Sequence, residues 1–326
     1  MVKPDYYDRF VCIGGKCKNN CCMGAWDIEV DDEALERFKR IGGDFGKRVL
    51  SSINDENVFI RKNGRCQLLS DDGWCEMVQN GHKLCVICDE YPRFTEYFDD
   101  YAERGVSLSC EAAAKIILDN KDCVSFIGES GVCDDELFEL LMFARENVIA
   151  TLQNRDEDIF KRLRCVIDYV IKLQDRINNN NFDKFEYNPV DRYNGTESLV
   201  AIFEFLNSLD VLNDNWHEIL RKGISIECEK PEHNADEIVI EQLAVYFVFR
   251  YFMKAFFDCD ALSKTKFMAI SVMSIISLAL VVGDIKESAR LYSIEIEHSE
   301  ENIDLIYDEF LFNEDFTTDN IIKMIR

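Results

Sequence analysis

The feature that most constrains this chain is the crowding of cysteines toward its amino-terminal end. Nine of the 14 cysteines fall within the first 110 of the 326 residues. They stand in short segments rich in glycine and asparagine, which permit tight turns with positive φ. Such loops let several thiolates converge on one ion or cluster, whereas a regular helix or strand would splay them. We therefore predict a loop-rich, metal-binding domain over residues 1–120.

The spacing of these thiols favours a metal centre but leaves the metal open. Cys12 to Cys22 holds four thiols, and Cys85 and Cys88 form a Cys-x-x-Cys step that is common to zinc and iron–sulfur sites. Zinc takes four ligands, so eight or nine thiols suit an iron–sulfur cluster with spare thiols, or two metal centres. The alternative, that the cysteines act as small buried hydrophobes, suits the five scattered ones: Cys123, Cys133, Cys165, Cys228 and Cys259.

The rest of the chain is acidic and has the periodicity of helices. Residues 1–120 carry 16 basic and 22 acidic side chains, a net charge of −6, and the remaining residues carry 21 and 40, a net charge of −19. Apolar residues recur at helical spacing over 134–148, 156–177, 196–209, 236–257 and 286–298. We predict a mainly α protein with a helical domain over 121–326, a linker near 178–195, and short strands such as 58–61 confined to the first domain.

Composition and motifs exclude several classes of protein. A net charge of −25 and a pI near 4.5 argue against binding nucleic acid or an anionic membrane surface. The first residues form no apolar leader, so we expect a cytoplasmic protein. The apolar run 267–283 is shorter than a typical membrane span and predicts a buried core helix. No dinucleotide-binding glycine motif, P-loop, nucleophile elbow or metalloprotease helix is present.

The cysteine segments resemble those of the flagellin lysine N-methylase family. The resemblance rests on Pro4-x-Tyr6 with Cys12-Ile-Gly-x-x-Cys17-x-x-x-Cys21-Cys22, on Cys66 to Cys75, on Cys88-x-x-Tyr91-Pro92-Arg93 and on Leu108-Ser109-Cys110. Tyr246 to Tyr251 and Tyr292 to Asn302 are similar to the family's closing helices. The chain reads Glu111-Ala112 where the family pattern has a Pro-Glu pair, and Cys85 stands where the pattern has a small polar residue.

The resemblance implies S-adenosylmethionine-dependent N-methylation of lysine side chains of bacterial flagellin, by an enzyme with an iron–sulfur centre of the 4Fe-4S type. Zinc is the alternative metal. The implied metal ligands are the cysteines that match the family pattern: Cys12, Cys17, Cys21, Cys22, Cys66, Cys75, Cys88 and Cys110. Cys85 is an extra cysteine on this view.

Candidate catalytic residues come from their motif positions alone. They are Tyr91, Tyr246, Glu297 and His298, which we expect to orient a lysine amine and take its proton, while Arg93 and Arg250 are candidates for binding the cofactor. By pattern alone, the stretch 295–299 is more typical of a solvated helix face. Arg250 among aromatic residues is equally typical of a structural ion pair. The alternative function is a non-enzymatic iron–sulfur or zinc protein, such as an electron carrier, redox sensor or adaptor.

Overall fold

The computed structural model of the chain describes residues 1–24, 26–193, 195–229 and 235–326. Helices dominate these ranges, so the predicted mainly α class is confirmed. Asn194, inside the predicted linker, lies outside the described residues. The division into domains near residue 120 stays a prediction.

The amino-terminal part consists of short elements joined by loops and 3-10 turns. Its strands and helices are β1 (Lys3–Pro4), α1 (Asp32–Lys39), α2 (Gly43–Ser51), β2 (Arg61–Lys62), β3 (Arg65–Cys66), α3 (Glu76–Gln79), α4 (Val86–Glu90), β4 (Arg93–Phe98), β5 (Tyr101–Val106) and α5 (Glu111–Leu118). The 3-10 turns include Gly14–Lys16 and Cys21–Met23, so the first cysteine segment is loop-rich as predicted.

The remainder is an array of longer helices. Its elements are β6 (Phe126–Ile127), α6 (Glu136–Leu152), α7 (Ile159–Asn178), α8 (Val200–Leu206), α9 (Asn215–Glu227), α10 (Glu237–Tyr251), α11 (Ala255–Asp258), α12 (Ala261–Val282), α13 (Ile285–Tyr292), α14 (Glu300–Phe312) and α15 (Thr318–Met324). A π-helix, Ser293–Glu297, continues α13. The predicted helical segments coincide with α6, α7, α8, α10, and α13 with its π-helical extension.

Helix α12 is the centre of the helical body. Asp260 caps its start by accepting a bond from the Ser263 backbone N–H at 2.9 Å, and Gly283 ends it with φ of 83°. It is long and apolar enough to cross a membrane, but 78% of its most apolar window is buried among the other helices. The apolar run 267–283 thus lies in the protein core, as predicted.

Three two-stranded antiparallel sheets occur within the described ranges, pairing β1 with β6, β2 with β3, and β4 with β5. The β4–β5 hairpin is the longest, with Arg93 opposite Val106 and Phe98 opposite Tyr101. The predicted strand over 58–61 is wrong in its bounds, because β2 begins at Arg61 and Val58 makes only an isolated bridge. Strand β6 lies beyond residue 120, outside the part to which strands were assigned.

The buried side chains form two cores that differ greatly in size. The smaller core holds Val30, Ala34, Phe38, Val49, Phe59, Leu68, Met77 and Cys85. The larger core includes most of the helical body together with Tyr6, Phe98, Leu108 and the apolar face of α5. The hairpin is further tied to the body by a buried ion pair, in which Arg145 of α6 donates to both oxygens of Glu103 at 2.7 and 2.5 Å. Residues 93–118 therefore pack with the helical body.

Candidate functional site

A cavity of about 450 Å³ lies in the amino-terminal part and is walled by thiols. Its lining comes from three stretches of chain, 10–28, 59–93 and 110–112. The cysteines on its wall are Cys12, Cys17, Cys21, Cys22, Cys66, Cys75, Cys88 and Cys110. They are the eight that match the family pattern. Cys85 is not part of the wall; it is 1% exposed and belongs to the smaller core.

Tight turns bring the first four thiols to this wall. The turn Gly14–Lys16 separates Cys12 from Cys17, and Gly14 adopts φ of 49°. A β-carbon at Gly14 would lie 2.2 Å from the Trp74 ring, so only glycine fits there. Asn20 accepts a bond from the Cys22 backbone N–H at 2.9 Å and donates to the Gly73 carbonyl at 2.7 Å. The bond to Gly73 ties the first cysteine loop to the loop before Cys75.

The other four thiols lie in or next to short strands and helices. Cys66 ends β3, Cys75 precedes α3, Cys88 lies in α4, and Cys110 precedes α5. Asp31 fixes α4 from outside, because its carboxylate accepts from the Val86 backbone N–H at 2.8 Å while it also caps α1. Loops and helix ends can aim side chains at a common space, which a single regular element cannot do.

Glu111 binds the loop that carries Cys17, at the position where the chain departs from the family pattern. Its Oε2 accepts bonds from the Lys18 N–H at 2.8 Å, the Asn19 N–H at 3.3 Å and the Cys17 thiol at 3.3 Å. Burial and this carboxylate raise the pKa of Cys17 to about 12. The departure therefore supplies a structural anchor between α5 and the cavity wall.

Some of these thiols lie close enough to affect one another's pKa. A hydrogen bond from Cys22 lowers the pKa of Cys21 to about 7. Burial raises the pKa of Cys66, Cys75 and Cys110. A metal or cluster binds thiolate, so binding there would release protons.

The donor set is chemically suited to a thiolate-bound metal, either zinc or an iron–sulfur cluster. Within the described ranges, no three Cys, His, Asp or Glu side chains form a group that could hold a metal ion. The eight thiols are distributed around the cavity. Thiolates are the ligands of iron–sulfur clusters, and a cluster spans several of them at once.

An aromatic group forms the side of the cavity nearest the helical body. Trp26 and Tyr91 line the cavity, with ring centroids 5.5 Å apart. His298, directly after the π-helix, stacks on Trp26 at 5.0 Å with an interplanar angle of 8°, and lies 6.2 Å from Tyr91. Partial shielding from water and the charge of Arg250 lower the pKa of His298, so its imidazole is neutral at pH 7.

Behind this wall lies a buried carboxylate, Glu297. Its Oε2 accepts from the Tyr246 and Tyr251 hydroxyls, both at 2.9 Å, and is 3.1 Å from the Arg250 Nε. The Arg250 guanidinium also lies 4.3 Å from the centre of the Phe94 ring. Tyr246, Glu297 and Arg250 thus form one cluster, but they do not line the cavity. Glu295 and Glu297 are buried, so the solvated-face interpretation is wrong for these two residues, whereas His298 is exposed.

A chain of hydroxyl groups connects the cavity wall with the buried residues around Glu297. The Tyr91 hydroxyl is 3.2 Å from Ser109 Oγ, which is 2.9 Å from Ser107 Oγ, which is 3.3 Å from Ser293 Oγ of the π-helix. The Leu108 N–H between these serines donates to the Tyr246 hydroxyl at 3.3 Å. Sequence reasoning quoted Ser109 and Ser293 only as parts of motifs, and it assigned no role to Trp26, Ser107 or Glu111.

Comparison with known proteins defines the class of this helical array. A family model, FliB lysine N-methylase C-terminal domain, matches residues 145–324, more than half of the chain. The chain belongs to the FliB lysine N-methylase family. A lysine-N-methylase of Salmonella typhimurium strain LT2 is 24% identical over an alignment of 140 residues. The alignment covers 38% of this chain and 34% of the relative. The match thus spans about a third of that relative's length. No solved structure matches the chain.

Proposed function

We propose that this protein transfers methyl groups from S-adenosylmethionine to lysine side chains of flagellin in the cytoplasm, and that the cysteine cavity holds an iron–sulfur cluster. The observation that supports this most directly is the convergence of eight cysteines, from three separate stretches of chain, on one cavity. Membership of the lysine N-methylase family supports the reaction class. The overall charge of the protein does not repel a cationic substrate, since the net charge is −25.

When bound, an iron–sulfur cluster would supply an iron able to ligate the methionine end of the cofactor or to exchange electrons. The cavity wall adds groups suited to the charged atoms of S-adenosylmethionine. Trp26, Tyr91 and Trp74 offer aromatic faces to a sulfonium cation. Arg93 offers a guanidinium to a carboxylate; it lies 5.0 Å from the Phe10 ring centre. Arg93 is a better cofactor anchor than Arg250, whose charge is already paired with Glu297.

The lysine amine must lose a proton before it can attack a methyl group, because only the neutral amine has a free lone pair. His298 lies beside the cavity, stacked on Trp26 of its wall, and is the best acceptor there because its pKa is lowered and its ring is therefore neutral. Tyr91 has a raised pKa because it is buried, so its hydroxyl stays protonated and orients the amine by hydrogen bonding. Glu297 and Tyr246 hold this side of the wall from behind and are positioning residues.

The test begins with anaerobic purification, followed by an absorption spectrum and iron, sulfide and zinc analysis of the same sample. We expect broad absorption from thiolate-ligated iron, with matched iron and sulfide. The same sample is then incubated with S-adenosylmethionine and flagellin, and lysine methylation is measured by mass spectrometry. Cys21→Ser should lose iron and methylation, whereas Cys228→Ser, at an exposed position away from the cavity, should keep both.

The possible failures of this test point to different conclusions. A colourless protein with stoichiometric zinc and no iron would overturn the cluster. An iron–sulfur protein that binds no S-adenosylmethionine by calorimetry would instead be an electron carrier or redox sensor. Methylation of other lysine proteins but not of flagellin would overturn the partner and keep the reaction. Full iron and absorbance in Cys21→Ser would remove Cys21 from the ligand set.

A further inference from the structure

The hairpin β4–β5 has one covered edge and one open edge. Val2 pairs with the outer side of β5, because its N–H donates to the Ala102 carbonyl at 3.0 Å and its carbonyl accepts from the Arg104 N–H at 2.8 Å. On the same side, the Ala102 N–H donates to Ser130 Oγ at 2.6 Å. Strand β4 has β5 as its only strand partner within the described residues. The outer side of β4 is therefore the free edge of the hairpin.

The strand register shows which backbone groups of β4 face this edge. In an antiparallel pair, opposite residues alternate between hydrogen-bonded and non-hydrogen-bonded pairs. Thr95 lies opposite Arg104 and Tyr97 opposite Ala102. The backbone groups of Arg104 and Ala102 point away from β4, so these pairs are the non-hydrogen-bonded ones. The N–H and C=O groups of Thr95 and Tyr97 therefore point outward, and no group within the described ranges bonds to them.

The sequence of β4 does not block its open edge. Natural edge strands are commonly protected by lysine, by proline or by a β-bulge. Strand β4 reads Arg-Phe-Thr-Glu-Tyr-Phe, without lysine or proline, and its pairing with β5 is uninterrupted from Arg93 to Phe98. An unprotected edge is a template on which an extended segment of another polypeptide can pair as an added strand.

The open edge leads directly to the cysteine cavity. Arg93 begins β4 and also lines the cavity, together with Tyr91 and Pro92 just before it. Strands advance by about 3.3 Å per residue, so a segment paired with Thr95 reaches the cavity wall about 7 Å further along. A side chain of the added segment at that point stands beside the aromatic wall.

The opposite end of β4 is acidic and suits a cationic segment. Asp99 and Asp100 lie between β4 and β5, and both are exposed. The Cys133 thiol donates to the Asp99 carboxylate at 3.3 Å, which brings exposed Asp134, the next residue of the chain, to the same end. Tyr97 is 65% exposed and adds an apolar face. Lysine side chains of a paired segment are therefore attracted to this end.

We propose that the outer edge of β4 binds an extended, lysine-bearing segment of the protein substrate as an added β-strand. The backbone groups of Thr95 and Tyr97 supply the pairing, the acidic end supplies the electrostatic attraction, and the cavity receives the lysine. Recognition through backbone and charge tolerates different sequences around the target lysine. The binding edge follows from the hairpin itself, whereas its role in methyl transfer rests on the proposed function.

The probe is a synthetic peptide of alternating threonine and lysine residues, which is cationic and extended by its own charge repulsion. A second peptide of the same sequence has N-methylated backbone amides, so it keeps the charge but cannot pair as a strand. Binding of each peptide to the purified protein is measured by calorimetry. Hydrogen exchange of individual backbone amides is measured by mass spectrometry with residue resolution, with and without peptide.

We expect the first peptide to bind about tenfold or more tightly than its N-methylated form, because several backbone bonds are lost in the latter. It should slow exchange of the Thr95 and Tyr97 N–H groups about tenfold or more. The Glu96 N–H, which is already paired with β5, should change little.

Thr95→Pro tests the edge directly. It removes one outward N–H, and proline is tolerated on an edge strand where its nitrogen faces solvent. We expect it to weaken binding of the first peptide about tenfold. Thr95→Ala keeps the N–H and is the matched control, with binding close to that of the wild type.

Two results would overturn the proposal. One is equal binding of the two peptides, which would reduce the interaction to charge alone. The other is unchanged exchange at Thr95 and Tyr97 in wild-type protein saturated with the first peptide, a comparison that requires no variant to fold.

Methylation of flagellin by the same proteins separates this inference from the proposed function. Strand pairing at β4 in a wild-type protein that methylates nothing would keep the binding edge and overturn the methyl transfer. Equal methylation by Thr95→Pro and Thr95→Ala would keep the methyl transfer and overturn the edge as the substrate site.

Discussion

Glu295 shows how strongly the fold can change one carboxyl group. It lies on the π-helix, is 2% exposed, and accepts a bond from the Leu212 N–H at 2.8 Å. Within the described residues its second oxygen has no hydrogen-bond partner. Burial raises the pKa of Glu295 to about 7, against the opposing effects of backbone N–H groups and the Arg290 charge. The folded protein therefore holds this carboxyl in its protonated form well above the pH at which it ionises when unfolded.

This difference predicts a pH-dependent loss of stability. Between the unfolded pKa near 4.5 and the folded pKa near 7, the unfolded chain releases the Glu295 proton and the folded chain keeps it, so rising pH favours unfolding. We expect the contribution of Glu295 to the free energy of unfolding to fall by up to about 3 kcal/mol across this window. Urea unfolding of the wild type and Glu295→Gln at pH 5 and pH 8 measures it, as a wild-type minus variant difference that is larger at pH 5.

Glu139→Gln provides the matched control, because Glu139 is an exposed glutamate on α6. Its wild-type minus variant difference should be the same at both pH values. An equal difference at pH 5 and pH 8 for Glu295→Gln as well would mean that Glu295 is ionised in the folded protein. The burial of Glu295 could not be predicted from its sequence, since the alternating Glu and Ile residues follow no helical period that would assign Glu295 to a buried face.

At the scale of elements, Asp31 joins two short helices, of which α4 contributes to the cavity wall. Its Oδ1 caps α1 through the Ala34 N–H, and its Oδ2 accepts from the Val86 N–H of α4, both at 2.8 Å. One carboxylate thus satisfies end groups of two helices that are 55 residues apart in sequence. Because α4 carries Cys88, the position of that thiol depends on a residue that no cysteine motif contains.

We expect Asp31→Ala to lower the free energy of unfolding by about 2–3 kcal/mol, since two capping bonds are lost and each is typically worth about 1 kcal/mol. Asp158→Ala is the control: Asp158 caps α7 through one bond, from the Lys161 N–H at 3.0 Å, and its loss should lower stability by about 1 kcal/mol. Urea unfolding at pH 7 compares them. Equal losses in the two variants would show that the bond to α4 contributes nothing.

Elements with a strong apolar period could be predicted, and those defined by long-range contacts could not. Helices α6 and α7 were recognised because their apolar residues recur every three to four positions, and α12 because it contains a continuous apolar run. The hairpin β4–β5 was missed because charged residues interrupt its alternation, and Glu103 is buried only through its ion pair with Arg145. The π-helix was missed because one extra residue in a turn leaves the apolar period almost unchanged.

At the scale of the molecule, the two cores predict unequal dependence on metal. The smaller core has eight buried side chains and packs against Cys66, Cys75 and Cys88 of the cavity wall, whereas the larger core extends through the helical body. So small a core contributes little stabilisation of its own, and small domains of this kind usually need a metal or another crosslink to stay folded. The cysteine pattern singled out the eight thiols that the structure places on the cavity wall, but not the residues that position their loops, such as Glu111 and Asp31.

Removing the metal should therefore loosen the amino-terminal part and leave the helical body intact. In hydrogen exchange followed by mass spectrometry, we expect residues 59–90 to exchange about tenfold faster or more after chelation, while α12 keeps its protection. Cys21→Ser should exchange like the stripped wild type, and Cys228→Ser should respond to chelation as the wild type does. If residues 59–90 were equally protected with and without metal, the thiols would be holding a preformed cavity, and the smaller core would be stable without a metal centre.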